Sequence, residues 1–508
     1  MAYGTQNIPF TALAEFRGGR PAGLEQQKWL TDPARLAEGF LISNFIWDPE
    51  PNGIPAKEML KEGCWTLRYW RETFYKWHKG KYGQISDSEL KSLISAYIQR
   101  LNSKSDIAGC IRISSQLIGN IISALSGFEG VRLPQERELN SWDDGRERCF
   151  IDTISFKNGL VMLMTRPERQ PTPEIVKHTP RYFALTQLPY DYDPAAKADK
   201  FLTFLDEVMA GDKERIELLQ QWAGYLLAND SRQQKFMLIA GEGANGKTVF
   251  TSMLEKMVGE ENVSHVPLCQ FGESFALAYT LGKVLNSTSE SASRLDEDAE
   301  TILKSYTSGD RMTFNRKYKE PIHTRPTAKI MVSTNSLPSF SDKSSGIWRR
   351  MLFVPFEVII PPERQNLFLI EQLSEELPGI FNWACEGLVK LRQNGRFCEP
   401  VKCRHSSEQY RNETNPARAF LLENFRFQFS GIRDGQPQLI GEILPVPVIA
   451  CKRLYEDYVE WCLENGYRPL NSCNFGKEVK RAFPNVRREQ RTETGKRLTV
   501  YSGIYKLI

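Results

Sequence analysis

A glycine-rich segment in the middle of the chain carries residue types that can hold a phosphate. Gly241 and Gly246-Lys247-Thr248 match the spacing G-x-x-x-x-G-K-[ST] of a phosphate-binding loop. Glycines allow backbone N–H groups to point inward around a β-phosphate, lysine adds a positive charge, and the threonine hydroxyl can ligate Mg²⁺. We therefore expect a nucleoside triphosphate and Mg²⁺ to be bound by Gly241, Gly243, Asn245, Gly246, Lys247 and Thr248.

The flanking residues predict the elements that must position this loop. Residues 236–240 form an apolar run of strand length. After the loop, apolar residues recur at helical spacing, at Val249, Phe250, Met253, Leu254, Met257 and Val258. Strand, loop and helix come in the order that a phosphate site needs, because the helix directs its positive end at the anion. A chance glycine-rich turn is the alternative.

Two later strands are predicted to end in polar residues. The first covers residues 284–290 and ends in Glu290, whose carboxylate can polarise water or hold the Mg²⁺ shell. This strand is unusually polar, and an ordinary exposed glutamate is the alternative. The second, residues 328–335, ends in Asn335, whose amide can bond both a γ-phosphate and the attacking water. A turn asparagine is the alternative there.

Two basic segments accompany these strands. After Gly309-Asp310 the pattern predicts a hairpin with a tip of Arg316, Lys317, Tyr318 and Lys319, which can contact phosphates and stack a base. After the second strand, Arg349 and Arg350 can reach a neighbouring subunit's γ-phosphate as arginine fingers. A solvated turn and a surface arginine pair are the respective alternatives.

Composition is that of an ordinary globular protein. The 508 residues include 66 Lys and Arg against 62 Asp and Glu, so net charge does not identify a partner. No apolar run approaches the roughly 20 residues that span a membrane, and the start of the chain lacks a secretion pattern. Ten scattered cysteines fit reduced thiols. We expect a cytoplasmic protein that does not bind membranes.

The region before the loop contains two features with competing interpretations. Aromatic and basic residues interleave over residues 65–82, which predicts a small sheet before a helix that begins near Ser88. They can stack single-stranded bases, but the pattern favours a domain core with a basic rim. Asp191 and Asp193 can bind a catalytic metal, although Pro194 favours a turn. Residues 104–145 are predicted to be mostly helical.

The C-terminal part predicts a separate DNA-binding unit. Helices over residues 367–391 are expected to break at Pro378-Gly379. Later helical segments are followed by a terminal hairpin, which is typical of a winged helix. Residues 471–508 carry nine Lys and Arg against three Glu, an excess that fits contacts to duplex DNA phosphates. A solvated basic face is the alternative.

Taken in order, the segments GEGANGKT, the strand ending in Glu290, LKSYTSGDRMTFNRKYKEP, KIMVSTNSLP and GIWRRMLFVPF resemble a superfamily 3 helicase. The chain is more closely similar to the phage and plasmid primase-helicase family, relatives of the poxvirus primase-helicase. The resemblance covers residues 150–360 well and 60–100 and 405–508 more loosely. One departure is that the Glu290 strand lacks the usual apolar run and paired carboxylates.

The resemblance implies an α/β fold with an AAA+ P-loop ATPase core. It implies a ring, usually a hexamer, that moves 3′ to 5′ on single-stranded DNA. It assigns Lys247 and Thr248 to the phosphate loop, Glu290 to the acidic motif and Asn335 to the sensor. Arg349 or Arg350 becomes the finger supplied in trans, and the segment from Arg316 to Lys319 becomes the hairpin that grips DNA.

The expected organisation has four parts. They are an N-terminal arm (1–36), an α+β N-terminal primase-helicase-associated domain (37–195), the helicase domain (196–395) and a winged-helix-like domain (396–508). The expected function is ATP-driven DNA unwinding for the replication of a phage, plasmid or other mobile element. The expected partners are single-stranded or forked DNA and a replication initiator or host replication proteins. The alternatives are an origin-binding initiator or loader, and an active primase-helicase; we expect no primer synthesis.

Overall fold

The computed structural model describes residues 31–46, 65–104, 111–143, 151–164, 173–290, 295–338, 340, 345–428, 447–493 and 496–507. Most of the expected N-terminal arm, residues 1–30, lies outside this part. The described chain begins with α1, Pro33–Asn44, whose N-terminus is capped by the Asp32 side chain through the Ala34 N–H. No helix in the described ranges is both long enough and apolar enough to cross a membrane.

The N-terminal region combines small antiparallel sheets with two further helices. The strands are β1 (Leu67–Trp70), β2 (Thr73–His78), β3 (Lys81–Gln84), β4 (Ser141–Trp142), β5 (Ile151–Ser155), β6 (Leu160–Met164), β7 (Pro173–Val176) and β8 (Tyr182–Phe183). They form the sheets β1-β2-β3, β5-β6-β7 and β4-β8. The helices are α2 (Asp87–Lys104) and α3 (Ser115–Gly127). The predicted sheet over residues 65–82 and the helix after it are confirmed.

The prediction that residues 104–145 are mostly helical is wrong. Among the described residues from 111 to 143 only α3 is helical, and it ends at Gly127, before the extended C-cap residue Phe128. Val131 and Leu133 are instead buried in an extended segment, where Leu133 N donates to Tyr69 O at 2.9 Å. The pairing of this segment with β1 is a tertiary contact that its own residue pattern does not reveal.

A five-stranded parallel sheet forms the centre of the molecule. Its elements follow two helices, α4 (Asp199–Val208) and α5 (Lys213–Leu227). The next elements are β9 (Phe236–Ala240), α6 (Lys247–Val258), β10 (Val263–Ser264), β11 (Leu285–Glu290), α7 (Glu297–Ser308), the hairpin β12 (Met312–Arg316) and β13 (Lys319–Thr324), β14 (Lys329–Thr334), α8 (Ser345–Trp348) and β15 (Met351–Pro355). The strand order is β10-β11-β14-β9-β15.

In this sheet β9 lies between β14 and β15, which are the last two strands of the sheet along the chain. All pairings are parallel, with Thr334 of β14 and Pro355 of β15 both opposite Ala240 of β9. The residues of β9 are apolar on both faces of the strand. This pattern fits a parallel sheet that is covered on both sides, and β9 is buried accordingly. The carboxyl ends of the strands therefore meet at one edge of the sheet, and their amino ends meet at the other.

The polarity of β11 has a structural explanation. Asn286 is fully buried, and its Oδ1 accepts from Val266 N and Ser264 Oγ at 2.9 Å each. Its Nδ2 donates to Val266 O at 2.9 Å. Buried polar groups are stable where their hydrogen bonds are satisfied, so this amide extends the sheet beyond the two-residue β10. The predicted strand ending in Glu290 is confirmed.

Three helices complete this part: α9 (Leu369–Ser374), α10 (Leu377–Asn394) and α11 (Val401–Glu413). The predicted break is present but lies slightly earlier, between Ser374 and Leu377, so Pro378 and Gly379 occupy the first turn of α10. Proline is tolerated there because the first N–H groups of a helix have no intrahelical partner. Helix α11 packs on β15, and Tyr410 belongs to the core beneath the sheet. The proposed boundary at residues 395–396 stays a prediction.

The described residues of the C-terminal region form three helices, a three-stranded antiparallel sheet and the strand pair β16–β20. Its elements are α12 (Pro416–Asn424), β16 (Phe425–Phe427), β17 (Val448–Ala450), α13 (Cys451–Glu464), α14 (Ser472–Ala482), β18 (Arg487–Glu493), β19 (Lys496–Ser502) and β20 (Ile504–Lys506). The sheet order is β17-β19-β18. The rings of Tyr458 and Phe475 stack with centroids 4.4 Å apart between α13 and α14. A terminal hairpin is present, but β18 and β19 form it, whereas residues 496–505, where it was predicted, contain β19 and part of β20, which pairs with β16.

Candidate nucleotide and nucleic-acid sites

The phosphate-loop residues occupy the turn between β9 and α6 at the carboxyl edge. Gly246 caps α6 with φ +82, and a Cβ there would lie 2.7 Å from Val208 Cγ1. At Gly241 a Cβ would lie 2.2 Å from Asn245 Nδ2 and 2.4 Å from Phe356 O. Glycine is therefore required at both positions. At Gly246 the left-handed backbone and the contact with α4 exclude a side chain, and at Gly241 the folded loop excludes one.

Asn245 connects the lysine of the loop to the end of β15. It is 3% exposed, and its Nδ2 donates to Phe356 O at 3.0 Å. Lys247 Nζ donates to Asn245 Oδ1 at 2.9 Å and to Gly241 O at 2.7 Å. Burial lowers the pKa of the Lys247 ammonium. A desolvated, oriented ammonium at a helix N-terminus is suited to binding phosphate oxygens.

The other two predicted residues of this edge lie on neighbouring strands. Glu290 is opposite Thr334 in the register of β11 and β14, and Thr334 is opposite Ala240. With strands about 4.8 Å apart, the Glu290 backbone is roughly 10 Å from the start of the loop. Asn335 follows Thr334 directly and is exposed, as is Thr248. Only the backbone of Glu290 belongs to the described part of the chain.

The two candidate fingers lie at the opposite edge of the sheet. Phe236 N, at the first residue of β9, donates to Arg350 O at 2.8 Å. A five-residue strand is roughly 16 Å long, so neither arginine is beside the loop of its own chain. The predicted residues thus separate into two groups, the loop with Glu290 and Asn335 at one edge and the arginines at the other.

Arg349 and Arg350 have different surroundings. Arg349 is exposed, whereas Arg350 is 8% exposed. Arg350 donates from Nη1 to Gly346 O at 2.9 Å and from Nη2 to Ser308 Oγ at 2.7 Å. Burial, and then the like charge of Arg349, lower the pKa of Arg350. Arg350 therefore joins α7, α8 and β15, and Arg349 is the side chain free to reach another molecule.

The predicted basic hairpin is formed by β12 and β13. At its tip Tyr318 is 92% exposed, with φ +61, and Lys317 Nζ lies 5.3 Å from the centre of its ring. Lys317 and Lys319 are exposed. Arg316 instead donates from Nε and Nη2 to Glu320 O at 3.0 and 2.8 Å. The tip therefore offers two ammonium groups and one ring, while Arg316 closes the hairpin.

The hairpin also contacts the N-terminal region, which the sequence did not predict. Arg71 Nη2 donates to Thr324 Oγ1 at 3.0 Å, and Arg316 Nη2 lies 3.9 Å from Glu72 Oε2. Arg71 and Glu72 form the turn between β1 and β2, with φ of 50 and 60. Sequence gives no signal for this contact, because more than two hundred residues separate the partners.

The Asp191-x-Asp193 pair lies outside the regular elements before α4. Asp193 Oδ1 accepts from Ala195 N at 2.9 Å, as a turn-forming aspartate does. Among the described residues there is no group of three or more His, Cys, Asp or Glu side chains placed to hold a metal ion. The structure thus gives Asp193 a local structural contact.

The C-terminal region has basic residues on its exposed surface. They lie on α14 and on the hairpin β18–β19, and include Lys477, Lys480, Arg481, Arg487, Arg488, Arg491 and Arg497. The buried side of α14 contributes Phe475 and Val479 to the core. Arg491 pairs with Glu489 at 2.8 Å, so part of this charge is neutralised within the protein.

Two protein-family models match parts of the chain. One is described as a family of unknown function (DUF5906) and covers residues 239–350, the segment from β9 to the end of α8 and its arginine pair. The other is described as the RFX DNA-binding domain and covers residues 445–506. A DNA-binding protein RFX7 from Xenopus laevis is 36% identical over 55 residues, which is 11% of this chain and 4% of that protein.

The chain is also similar to viral proteins named as helicases. "Putative helicase L207/L206" of Acanthamoeba polyphaga mimivirus is 24% identical over 292 residues, 53% of this chain and 30% of that protein. "Putative helicase 022R" of Frog virus 3 is 24% identical over 254 residues, 45% and 26% respectively. The chain thus spans less than a third of these relatives. The C-terminal region of NrS-1, a solved structure, aligns over 88% of this chain and 98% of that one at 11% identity, with a TM-score of 0.48.

Proposed function

We propose that this chain is an ATP-dependent DNA helicase of the superfamily 3 type, with an AAA+ core. The observation that carries the proposal is the division of the predicted residues between the two edges of one parallel sheet. The phosphate loop, Glu290 and Asn335 are neighbours at the carboxyl edge. This is the edge at which open α/β sheets bind their ligands. The similarity to viral proteins named as helicases supports the same function.

In the proposed reaction ATP binds with its phosphates against the backbone of residues 241–246. Lys247 contacts the β- and γ-phosphates, and Thr248 with Glu290 holds Mg²⁺, which neutralises charge on the phosphates. Asn335 or Glu290 orients the attacking water. Because Arg349 is exposed at the opposite edge, its guanidinium serves a neighbouring subunit. Head-to-tail contacts of this kind form a ring when the rotation between subunits closes, and a hexamer is the assembly we expect.

The exposed tip of the hairpin is the proposed DNA contact of the motor. Tyr318 can stack on a base, and Lys317 and Lys319 can neutralise phosphates of single-stranded DNA. The C-terminal region is a proposed winged helix that contacts duplex DNA, supported by its basic surface and by the match to the RFX DNA-binding domain. Movement 3′ to 5′ and a role in replication with initiator or host proteins belong to the same proposal.

The test is ATP hydrolysis with and without single-stranded DNA, followed by strand displacement on forked substrates. We expect hydrolysis that DNA stimulates, and displacement when the loading strand has a free 3′ tail. Hydrolysis without any displacement would contradict the helicase function. Absence of both hydrolysis and ATP binding would contradict the nucleotide site itself. Electron microscopy with an ATP analogue and forked DNA reports the number of subunits in the ring.

The basic C-terminal region favours one second candidate, an origin-binding initiator or loader. Seven exposed basic residues on α14 and its neighbouring hairpin suit duplex DNA, which a motor on single strands does not need to bind tightly. This candidate predicts high affinity for a particular duplex sequence and no displacement on a fork. The helicase predicts displacement on forks of unrelated sequence. Comparing the two measurements on the same preparation separates them.

A further inference from the structure

The outer side of α13 carries an apolar stripe that the C-terminal core covers only in part, at Tyr455. Tyr455, Val459 and Leu463 recur every four residues, so they lie along one side of the helix and line one shallow groove. Leu463 is 71% exposed, whereas Leu454 and Tyr458 on the inner side are fully buried. One apolar side of α13 therefore builds the domain, and the other faces outward.

An acidic row borders this stripe. Glu456, Glu460 and Glu464 each follow one residue of the stripe, line the same groove and are exposed. Glu456 lies 3.7 Å from Lys452, an exposed pair that contributes little. Within the described parts of the chain, neither Glu460 nor Glu464 takes part in an ion pair. The groove thus combines apolar contact area with carboxylates that are available to a partner.

The charge of the row determines which partner fits. DNA phosphates are repelled by three carboxylates, and the exposed basic residues Lys477 and Arg481 lie on α14 instead. A second copy of the same face would bring identical carboxylates together, which destabilises a two-fold contact. A segment with basic residues beside an apolar stripe complements the groove, because its apolar side chains meet the stripe and its basic residues meet the acidic row.

We propose that this face of α13 docks an amphipathic helix of a partner protein. Apolar side chains of that helix pack on Val459 and Leu463, and its lysines or arginines pair with Glu460 and Glu464. Contiguous exposed apolar surface rimmed by charge is typical of such contacts. With basic residues on α14 and acidic ones on α13, one small domain can hold duplex DNA and a protein simultaneously. The proposal does not depend on ATP hydrolysis.

The test measures fluorescence anisotropy of a labelled synthetic helical peptide with leucines at i and i+4 spacing and flanking lysines. We expect the full-length protein to bind it, with affinity lowered about tenfold by Leu463→Ser and by Glu460→Lys, as for central contacts of an interface. The matched control is Leu367→Ser, since Leu367 is 88% exposed at a distant site. A peptide with glutamates in place of the lysines should not bind.

Three outcomes of the peptide-binding and sedimentation measurements would overturn the proposal. They are equal affinity of the peptide for wild type and both variants, equal binding of the glutamate peptide, and loss of self-association in sedimentation caused by Leu463→Ser. The last would mean that a second copy occupies the face. Duplex DNA affinity of the two variants should stay within about twofold of wild type, since neither substitution touches α14. A larger loss of DNA affinity would assign this face to DNA instead.

Discussion

The two edges of the parallel sheet are built from different chemical groups. At the carboxyl edge the backbone is central, with glycines that fold residues 241–246 around the N-terminus of α6. At the amino edge the groups available for contacts are long side chains, those of Arg349, Arg350 and the hairpin that precedes β14. The carboxyl edge therefore carries the proposed phosphate site, whereas the amino edge exposes Arg349, whose proposed target lies in a neighbouring subunit.

The amino edge is also held together by buried charges. Lys329, the first residue of β14, donates to Ala228 O at 3.3 Å and lies 4.8 Å from the centre of the Tyr225 ring. Nearby, Arg392 Nη2 lies 2.5 Å from Asp152 Oδ2 and 3.6 Å from Asp230 Oδ2. These groups come from the N-terminal sheet, the end of α5 and α10. The amino edge therefore depends on contacts between distant segments.

The largest expected effect belongs to the carboxyl edge. Lys247→Ala should lower ATP turnover by more than about 1000-fold, because one preorganised cation on the transferred phosphate is lost. Turnover is measured by phosphate release at saturating ATP. The matched control is Lys256→Ala, on the same helix but paired with Glu260 at 2.9 Å. Equal turnover in wild type and Lys247→Ala would mean that the loop is not the site of hydrolysis.

The next effect distinguishes the two arginines of the amino edge. Arg349→Ala should lower turnover by about 1000-fold without changing the melting temperature. Arg350→Ala should lower the free energy of unfolding by about 3 kcal/mol, because it breaks buried bonds to Gly346 and Ser308. A mixture of Arg349→Ala and Lys247→Ala subunits should recover activity at interfaces that retain both groups. A mixture as inactive as its components would refute sharing across subunits.

A third effect tests how the strand that carries Glu290 is held. Asn286→Ala should lower the free energy of unfolding by about 2–4 kcal/mol, because Val266 N, Val266 O and Ser264 Oγ lose their partner. Chemical denaturation followed by fluorescence measures this change. Ser289→Ala, at an exposed position of the same strand, should change stability by less than about 0.5 kcal/mol. Similar losses of stability for both variants would contradict the inference that the buried Asn286 amide stabilises this strand.

The smallest effect is a pH dependence at the amino edge. Burial lowers the pKa of Lys329 from 10.5 to about 8, against the opposing charges of Asp230 and Asp152. Between these two pKa values the unfolded chain binds more protons, so stability should rise with pH by about 1 kcal/mol per unit. Below pH 8 both states are protonated and the contribution is constant. The stability difference between wild type and Lys329→Met, measured by denaturation from pH 7 to 10, should show this rise; a flat difference would contradict it.

Much of the carboxyl edge follows from local sequence. The apolar run of β9, the glycines and the amphipathic α6 predict strand, loop and helix together, since each depends on neighbouring residues. Sequence also gives the hairpin tip and the strand ends at Glu290 and Asn335. It does not give the role of Asn245, which depends on Phe356 O more than one hundred residues away. The different burial of Arg349 and Arg350 is equally invisible in a doublet of identical residues.

The sequence by itself determined which residue types stand at each position: a glycine-rich loop with a lysine and a threonine, an acidic strand end, an asparagine after a strand, an arginine pair and a basic hairpin. Only the tertiary structure decided which of these groups meet. The parallel register brings Glu290 and Asn335 beside the loop, and it sends both arginines to the other end of the strands. The physical reason is that spacing along the chain controls local conformation, whereas strand order and buried hydrogen bonds arise from packing between segments far apart in sequence.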